Sequence, residues 1–102
     1  MRQDRDRGGQ LITVELPKAL CSYADENSSL VLEASYKTVG EALLGLREKS
    51  PGALDRIMDE QGAVRRHVNV FVNGENIRFL DGLGTPARDG TTIVILAAVS
   101  GG

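Results

Sequence analysis

Two glycines occupy the last positions of the chain, directly behind its most apolar run, "TTIVILAAVSGG". Glycine loses more backbone freedom on ordering than any other residue, so a terminal pair adds little to a fold. The pair is therefore either a frayed end or a tool. As a tool its merit is steric. Residues without Cβ atoms can thread a narrow cleft at any φ, and the terminal carboxylate can then be set against a second reactant.

The other residues that could do chemistry offer less. Cys21 is the one cysteine and His67 the one histidine. Neither has a companion base or ligand nearby in sequence, so Cys21 reads as a small hydrophobe and His67 as a strand-end residue. A single His with no ligand-spaced carboxylates makes no metal site. Asp55, Asp59 and Glu60 cluster on one short segment and read as a solvated face. The glycines of residues 82–90 lack the Lys-Ser/Thr ending of a phosphate-binding loop. Arg65-Arg66 is too short for a nucleic-acid patch, although it could meet an acidic groove on a partner.

Composition narrows the class further. The 102 residues carry a net charge of −2, and 41% of them are hydrophobic. That suits one small domain with an aliphatic core, since Trp is absent. No basic surplus points to nucleic acid. No apolar stretch approaches the roughly 20 residues of a membrane helix, and the charged start "MRQDRDRGGQ" is no signal peptide. A lone cysteine excludes an internal disulfide and suits a reducing, cytoplasmic setting.

The elements that would position the glycines can be read from periodicity. Residues 1–9 alternate Arg and Asp and read as a disordered leader. "QLITVEL" alternates, is rich in β-branched residues and stops at Pro17, which makes it a strand. "SSLVLEA", residues 28–34, is a second strand and pairs with the first as a hairpin. "TVGEALLGLREKS" sets Val39, Ala42, Leu43 and Leu46 on one helical stripe. Thr38 and Glu41 have capping-box spacing, and Lys49 suits the last turn. Pro51 opens a short second helix or turn that ends near Gly62. "HVNVFV" is a strand, Asn73-Gly74 the strongest hairpin turn signal, and "NIRF" the return strand. "LDGLGTPARDG" is a loop. Residues 91–99 form a long central strand buried on both faces. The core is expected to take most of Leu11, Val14, Leu32, Val39, Leu43, Leu46, Val70, Val72, Ile93 and Ile95.

The order β-β-α-(short α)-β-β-β places one main helix across a mixed sheet of four or five strands, with the first and last strands side by side in its middle. That is an α+β, ubiquitin-like β-grasp. The expected division is a domain over 10–98 and a flexible tail over 99–102.

With that order in place, "VNVFVNGENIRF", Asp89-Gly90 and "TTIVILAAVSGG" resemble the ubiquitin-like sulfur carriers of the ThiS/MoaD family, and within it the CysO type, which serves cysteine biosynthesis. Family tails often carry Pro shortly before the Val-x-Gly-Gly end, where this chain has Ala97-Ala98. The resemblance implies a carrier that is itself no enzyme and binds no cofactor. A separate E1-like enzyme would use ATP to adenylate the Gly102 carboxylate, with Gly101 giving it slack, and a sulfur donor would convert the adenylate to a thiocarboxylate. Leu96, Ala98, Val99 and Ser100 would form the lead-in that the partner grips. Phe79 belongs equally to the core or to a partner face. A pyridoxal-phosphate-dependent cysteine synthase and a tail-cleaving metalloprotease are the further partners the CysO type implies. Three alternatives stay open. The same chemistry could serve thiamine, molybdopterin, tRNA thiolation or a secondary metabolite. The chain could be a ubiquitin-like modifier joined to lysines. It could also be a binding module whose glycines are incidental.

Overall fold

A computed structural model describes residues 11–33 and 35–97. The leader, Ala34 and residues 98–102 lie outside the described residues, and with them the expected boundaries at 1–9 and 99–102.

Five strands form one sheet in the order β2-β1-β5-β3-β4. They are β1 (Leu11–Glu15), β2 (Ser29–Glu33), β3 (Val68–Val72), β4 (Glu75–Asn76) and β5 (Thr92–Ala97). β1 pairs antiparallel with β2 and parallel with β5, and β5 pairs antiparallel with β3. The first and last strands thus lie together at the centre, as the pattern requires. The helices α1 (Lys18–Cys21), α2 (Val39–Gly45) and α3 (Pro51–Ile57) complete the fold.

Alternation decides which face of the sheet the helices cover. Ile12, Val14, Leu32, Val70, Ile93 and Ile95 are buried and form one core with Val39, Ala42, Leu43 and Leu46 of the α2 segment. At about 25 cal/mol per Å² of apolar surface, each large side chain removed from water there contributes roughly 1.5–3 kcal/mol.

Local chemistry fixes the helix starts. The Thr38 hydroxyl accepts the Glu41 N–H at 3.2 Å. The reciprocal bond differs from a standard capping box, because the Glu41 carboxylate accepts the N–H of Lys37 at 2.8 Å. The Lys37 carbonyl in turn accepts the Ala87 N–H, and Val39 N–H donates to Thr85, so the 85–87 loop holds the residues before α2 extended. Buried Ser50 caps α3: its Oγ accepts the Ala53 N–H and donates to the Tyr23 carbonyl at 2.5 Å. Pro51 fills the first helical position, where no N–H is needed.

The structure refines or corrects the sequence reading at five points. Leu11 is 52% exposed, because it sits on the outer phase of β1. β5 is covered on one face only: Ile93 and Ile95 are buried, while Leu96 and Ala97 are exposed. "NIRF" is not a strand, since pairing stops at Asn76 and a 3-10 turn over Ile77–Phe79 follows, driven by burial of Ile77. The connection after β1 contains α1 and a 3-10 turn, Ser22–Ala24, which bury Cys21 and Ala24. α3 ends at Ile57 rather than near Gly62. Beyond it Met58 pairs with Val64, and an Asp59 oxygen accepts the N–H groups of Gln61 and Ala63.

Candidate functional site

The site is the root of the C-terminal tail, and the central strand pair positions it. β5 is locked where it enters the sheet. Asp89 accepts the Leu11 N–H at 2.9 Å, and Gly90, at φ 85°, donates to the Leu11 carbonyl at 2.9 Å. That φ favours glycine, so the Asp-Gly pair before the last strand is a register lock between β1 and β5. A second lock comes from the hairpin. Asn73 and Gly74 adopt φ 49° and 91°, the geometry of a two-residue type I′ turn. The Asn73 side chain then accepts the Thr92 N–H at 3.3 Å.

From that lock β5 runs to Ala97, which lies opposite Val68 at the start of β3. Exposed Arg66 and His67 therefore lead directly into the strand that flanks the tail root. Glu15 pairs with Val94 on the other side.

The sheet face not covered by helices carries Thr13, Val31, Val94, Leu96, Asn69 and Phe71. Thr13 pairs with Val31, Val94 with Phe71, and Leu96 with Asn69. Leu96 is 44% and Val31 41% exposed, large fractions for aliphatic side chains in a paired sheet. Sequence reading named Leu96 but passed over Val31, Val94 and Phe71. The signal was present in the alternation, whose outer phase at these positions is also apolar.

Phe79 is 84% exposed, which resolves the choice between core and surface in favour of the surface. It does not stand on a loose loop. Asn76 accepts the Arg78 N–H at 2.9 Å, and Leu80 N–H donates to the Ile77 carbonyl. Ala98, Val99, Ser100, Gly101 and Gly102 lie outside the described residues.

The remaining candidates are not assembled into a site. Cys21 is buried with its thiol directed at the Pro17 carbonyl, 3.5 Å away. Arg65 Nε donates to the Asp55 carbonyl at 2.8 Å. Among the described residues no three of His, Cys, Asp and Glu gather as metal ligands, and no helix is long and apolar enough to cross a membrane. A depression of about 770 Å³ lies on the helical side and includes Tyr23, Arg47, Asp55, Arg56 and Asp59. Its cations and carboxylates are mixed, and Arg56 stacks on Tyr23 at 5.1 Å. Its lining includes no residue of β5.

Comparison with known proteins agrees with this geometry. The sequence profile of the ThiS family matches residues 14–102. The chain belongs to the ThiS family. It is 37% identical over 93 residues to the sulfur carrier protein CysO of Mycobacterium tuberculosis, covering 89% of this chain and 98% of that protein. A crystal structure of the BexX/CysO complex of Amycolatopsis orientalis superposes with a TM-score of 0.77 at 35% identity, over 89% of this chain and 99% of the matched chain. Small archaeal modifier protein 1 of Methanosarcina acetivorans superposes with a TM-score of 0.74 at 33% identity, over 91% and 97%. The β-grasp expected from element order is thus the fold of both sulfur carriers and protein modifiers. Among the curated relatives of this size, CysO is named a sulfur carrier protein, an Archaeoglobus fulgidus relative a putative one and a Haloferax volcanii relative small archaeal modifier protein 3.

Proposed function

We propose that this chain carries sulfur as a thiocarboxylate on Gly102. The observation that carries the reading is a central strand, β5, that runs to Ala97 in a chain whose sequence goes on to a Gly-Gly end within the family match.

A carboxylate is a poor electrophile. An E1-like enzyme would let a Gly102 carboxylate oxygen attack the α-phosphate of ATP, forming an acyl-adenylate as the α–β bond breaks and pyrophosphate leaves. A sulfide or persulfide sulfur then attacks the carbonyl carbon. The carbon–oxygen bond to AMP breaks and the thiocarboxylate remains, after reductive release of the donor where a persulfide served. Two easier steps replace a hard one, as in covalent catalysis generally. In this scheme the nucleotide binds to the enzyme and the carrier holds no cofactor. Gly101 supplies the slack that sets the reacting carbon in place. Leu96, Ala98, Val99 and Ser100 are the segment the enzyme grips, by backbone pairing along an extended chain.

Likeness to CysO supports cysteine biosynthesis as the pathway, with a pyridoxal-phosphate-dependent synthase as sulfur acceptor and a metalloprotease that frees the product from the tail. A second reading has its own support. The likeness to small archaeal modifier protein 1 favours conjugation of the same activated carboxylate to lysines.

Intact-protein mass separates the two. The chain is incubated with the E1-like enzyme of its source, ATP and sulfide, beside a form lacking Gly101-Gly102. A gain equal to exchanging one oxygen for sulfur, on the full chain alone, is expected. A ladder of larger protein adducts would favour the modifier, and no change with an active enzyme present would overturn the carrier.

A further inference from the structure

The two edges of the sheet are built differently. At one edge β4 is short: Glu75 and Asn76 alone pair with β3 before the 3-10 turn over Ile77–Phe79 ends the strand. Shortening of this kind blunts an edge against another chain. At the other edge β2 has no such protection. Its residues, Ser29–Glu33, pair with β1 in unbroken register, without a bulge, and include no Lys, Pro or Gly. Its one charged residue, Glu33, stands at the end of the strand.

Hydrogen-bond phase decides which backbone groups β2 leaves over. The Thr13 N–H donates to the Thr91 carbonyl at 3.1 Å, and the Leu11 carbonyl accepts the Gly90 N–H at 2.9 Å, so the odd residues of β1 bond toward β5. The even ones bond toward β2. The Leu16 N–H donates to the Ser28 carbonyl at 2.8 Å, and Ile12 and Val14 lie opposite Leu32 and Leu30. Opposed residues of an antiparallel pair alternate between bonded and unbonded. The N–H and C=O groups of Ser29, Val31 and Glu33 therefore point away from β1, and among the described residues no hydrogen bond engages them. Such a row of unpaired donors and acceptors is a template for a further strand.

We propose that this edge joins a second copy of the chain, β2 to β2, antiparallel about a two-fold axis at Val31. The edge is complementary to itself in that register. Val31 meets Val31 of the second copy, Leu30 meets Leu32, and Ser29 meets Glu33, so no like charges are opposed. Ser29, Val31 and Glu33 share the outward bonding phase, so each opposed pair of them exchanges both backbone bonds. A register centred on Glu33 would instead set two carboxylates face to face. Val31, half-exposed on the open sheet face, is covered by its counterpart. Because β5 is parallel to β1 and β1 antiparallel to β2, the two copies of β5 run in opposite directions. The tails leave opposite ends of the joined sheet, each from the third strand away from the seam. The inference therefore does not depend on the carrier reading. One short strand from each copy makes a seam smaller than the roughly 1,200–2,000 Å² of a standard interface, which sets the association among the weak, reversible ones.

The test is sedimentation velocity of the full chain as its concentration is raised from about 10 µM to about 1 mM, the range in which weak complexes form. The parent is expected to move from the mass of one chain toward that of two. Val31→Lys sets two cations face to face across the axis and is expected to weaken the association about tenfold, with the melting temperature of the dilute chain nearly unchanged because the side chain is exposed. Cysteine cross-linking checks the register, since opposed Cα atoms of a bonded pair lie about 5.5 Å apart, within the span of a disulfide. Under mild oxidation Val31→Cys is expected to give a covalent dimer, Ser29→Cys alone to give none, and a mixture of Ser29→Cys with Glu33→Cys to give one. The parent, whose Cys21 is buried, should stay uncross-linked. A parent that remains monomeric at about 1 mM would overturn the proposal and leave the edge to an extended segment of another protein. A dimer that Val31→Lys does not weaken would overturn it by placing the contact elsewhere. Cross-linking of Ser29→Cys as readily as of Val31→Cys would overturn the two-fold axis at Val31.

Discussion

The two faces of the one sheet use alternate residues of the same strands and meet opposite fates. Ile12, Val14, Val70, Ile93 and Ile95 face the helices and are sealed from water. Val31, Val94, Phe71 and Leu96 face outward, and none of them is buried. Either set is apolar enough to make a core. What separates them is the α2 segment, whose stripe of Val39, Ala42, Leu43 and Leu46 can cover one face only. The covered face holds the domain together. The open face keeps apolar surface beside the strand that leads to the tail, where a partner can use it.

The largest expected effect falls on the covered face. Leu43→Ala removes a fully buried side chain and should cost about 2–5 kcal/mol, seen as a lowered midpoint in denaturant. Protein that remains folded should still accept sulfur at the parental rate. On the open face the dissociation should reverse. Leu96→Ala is expected to leave the midpoint nearly unchanged and to reduce tail activation about fivefold to tenfold, the loss of one interfacial anchor. A smaller change sharpens the same contrast. Thr38→Ala deletes the α2 cap and should cost about 1 kcal/mol of stability without altering activation kinetics. If Leu96→Ala lowered stability as much as Leu43→Ala, the distinction between the faces would collapse.

Much of this was legible in the sequence. Period-two alternation in β1 and β3, the helical stripe in α2 and the Asn73-Gly74 turn are local signals that tertiary packing left in place. The misreadings share one cause: a linear pattern says which residues alternate but not which phase is covered. Leu11 reads as core because it is a leucine at the start of a strand, yet its phase points outward. Residues 91–99 read as doubly buried because both phases are apolar, although helices lie over one side alone. "NIRF" carries strand composition, but burial of Ile77 turns the chain inward after two paired residues. The Gly-Gly end was legible as a motif, whereas the side-chain bond between Asn69 and Asn76 was not, because only the β3–β4 register creates it.

The central claim is that the domain presents the tail and the tail alone carries the chemistry. Gly102→Ala tests it with two readings on one sample: the midpoint of unfolding and the yield of thiocarboxylate by intact mass. An unchanged midpoint with a strongly reduced yield is predicted, because a methyl group beside the reacting carbon obstructs adenylation, while the core is built from residues between Ile12 and Ile95. An unchanged yield, or a fall in stability matching the fall in yield, would contradict it.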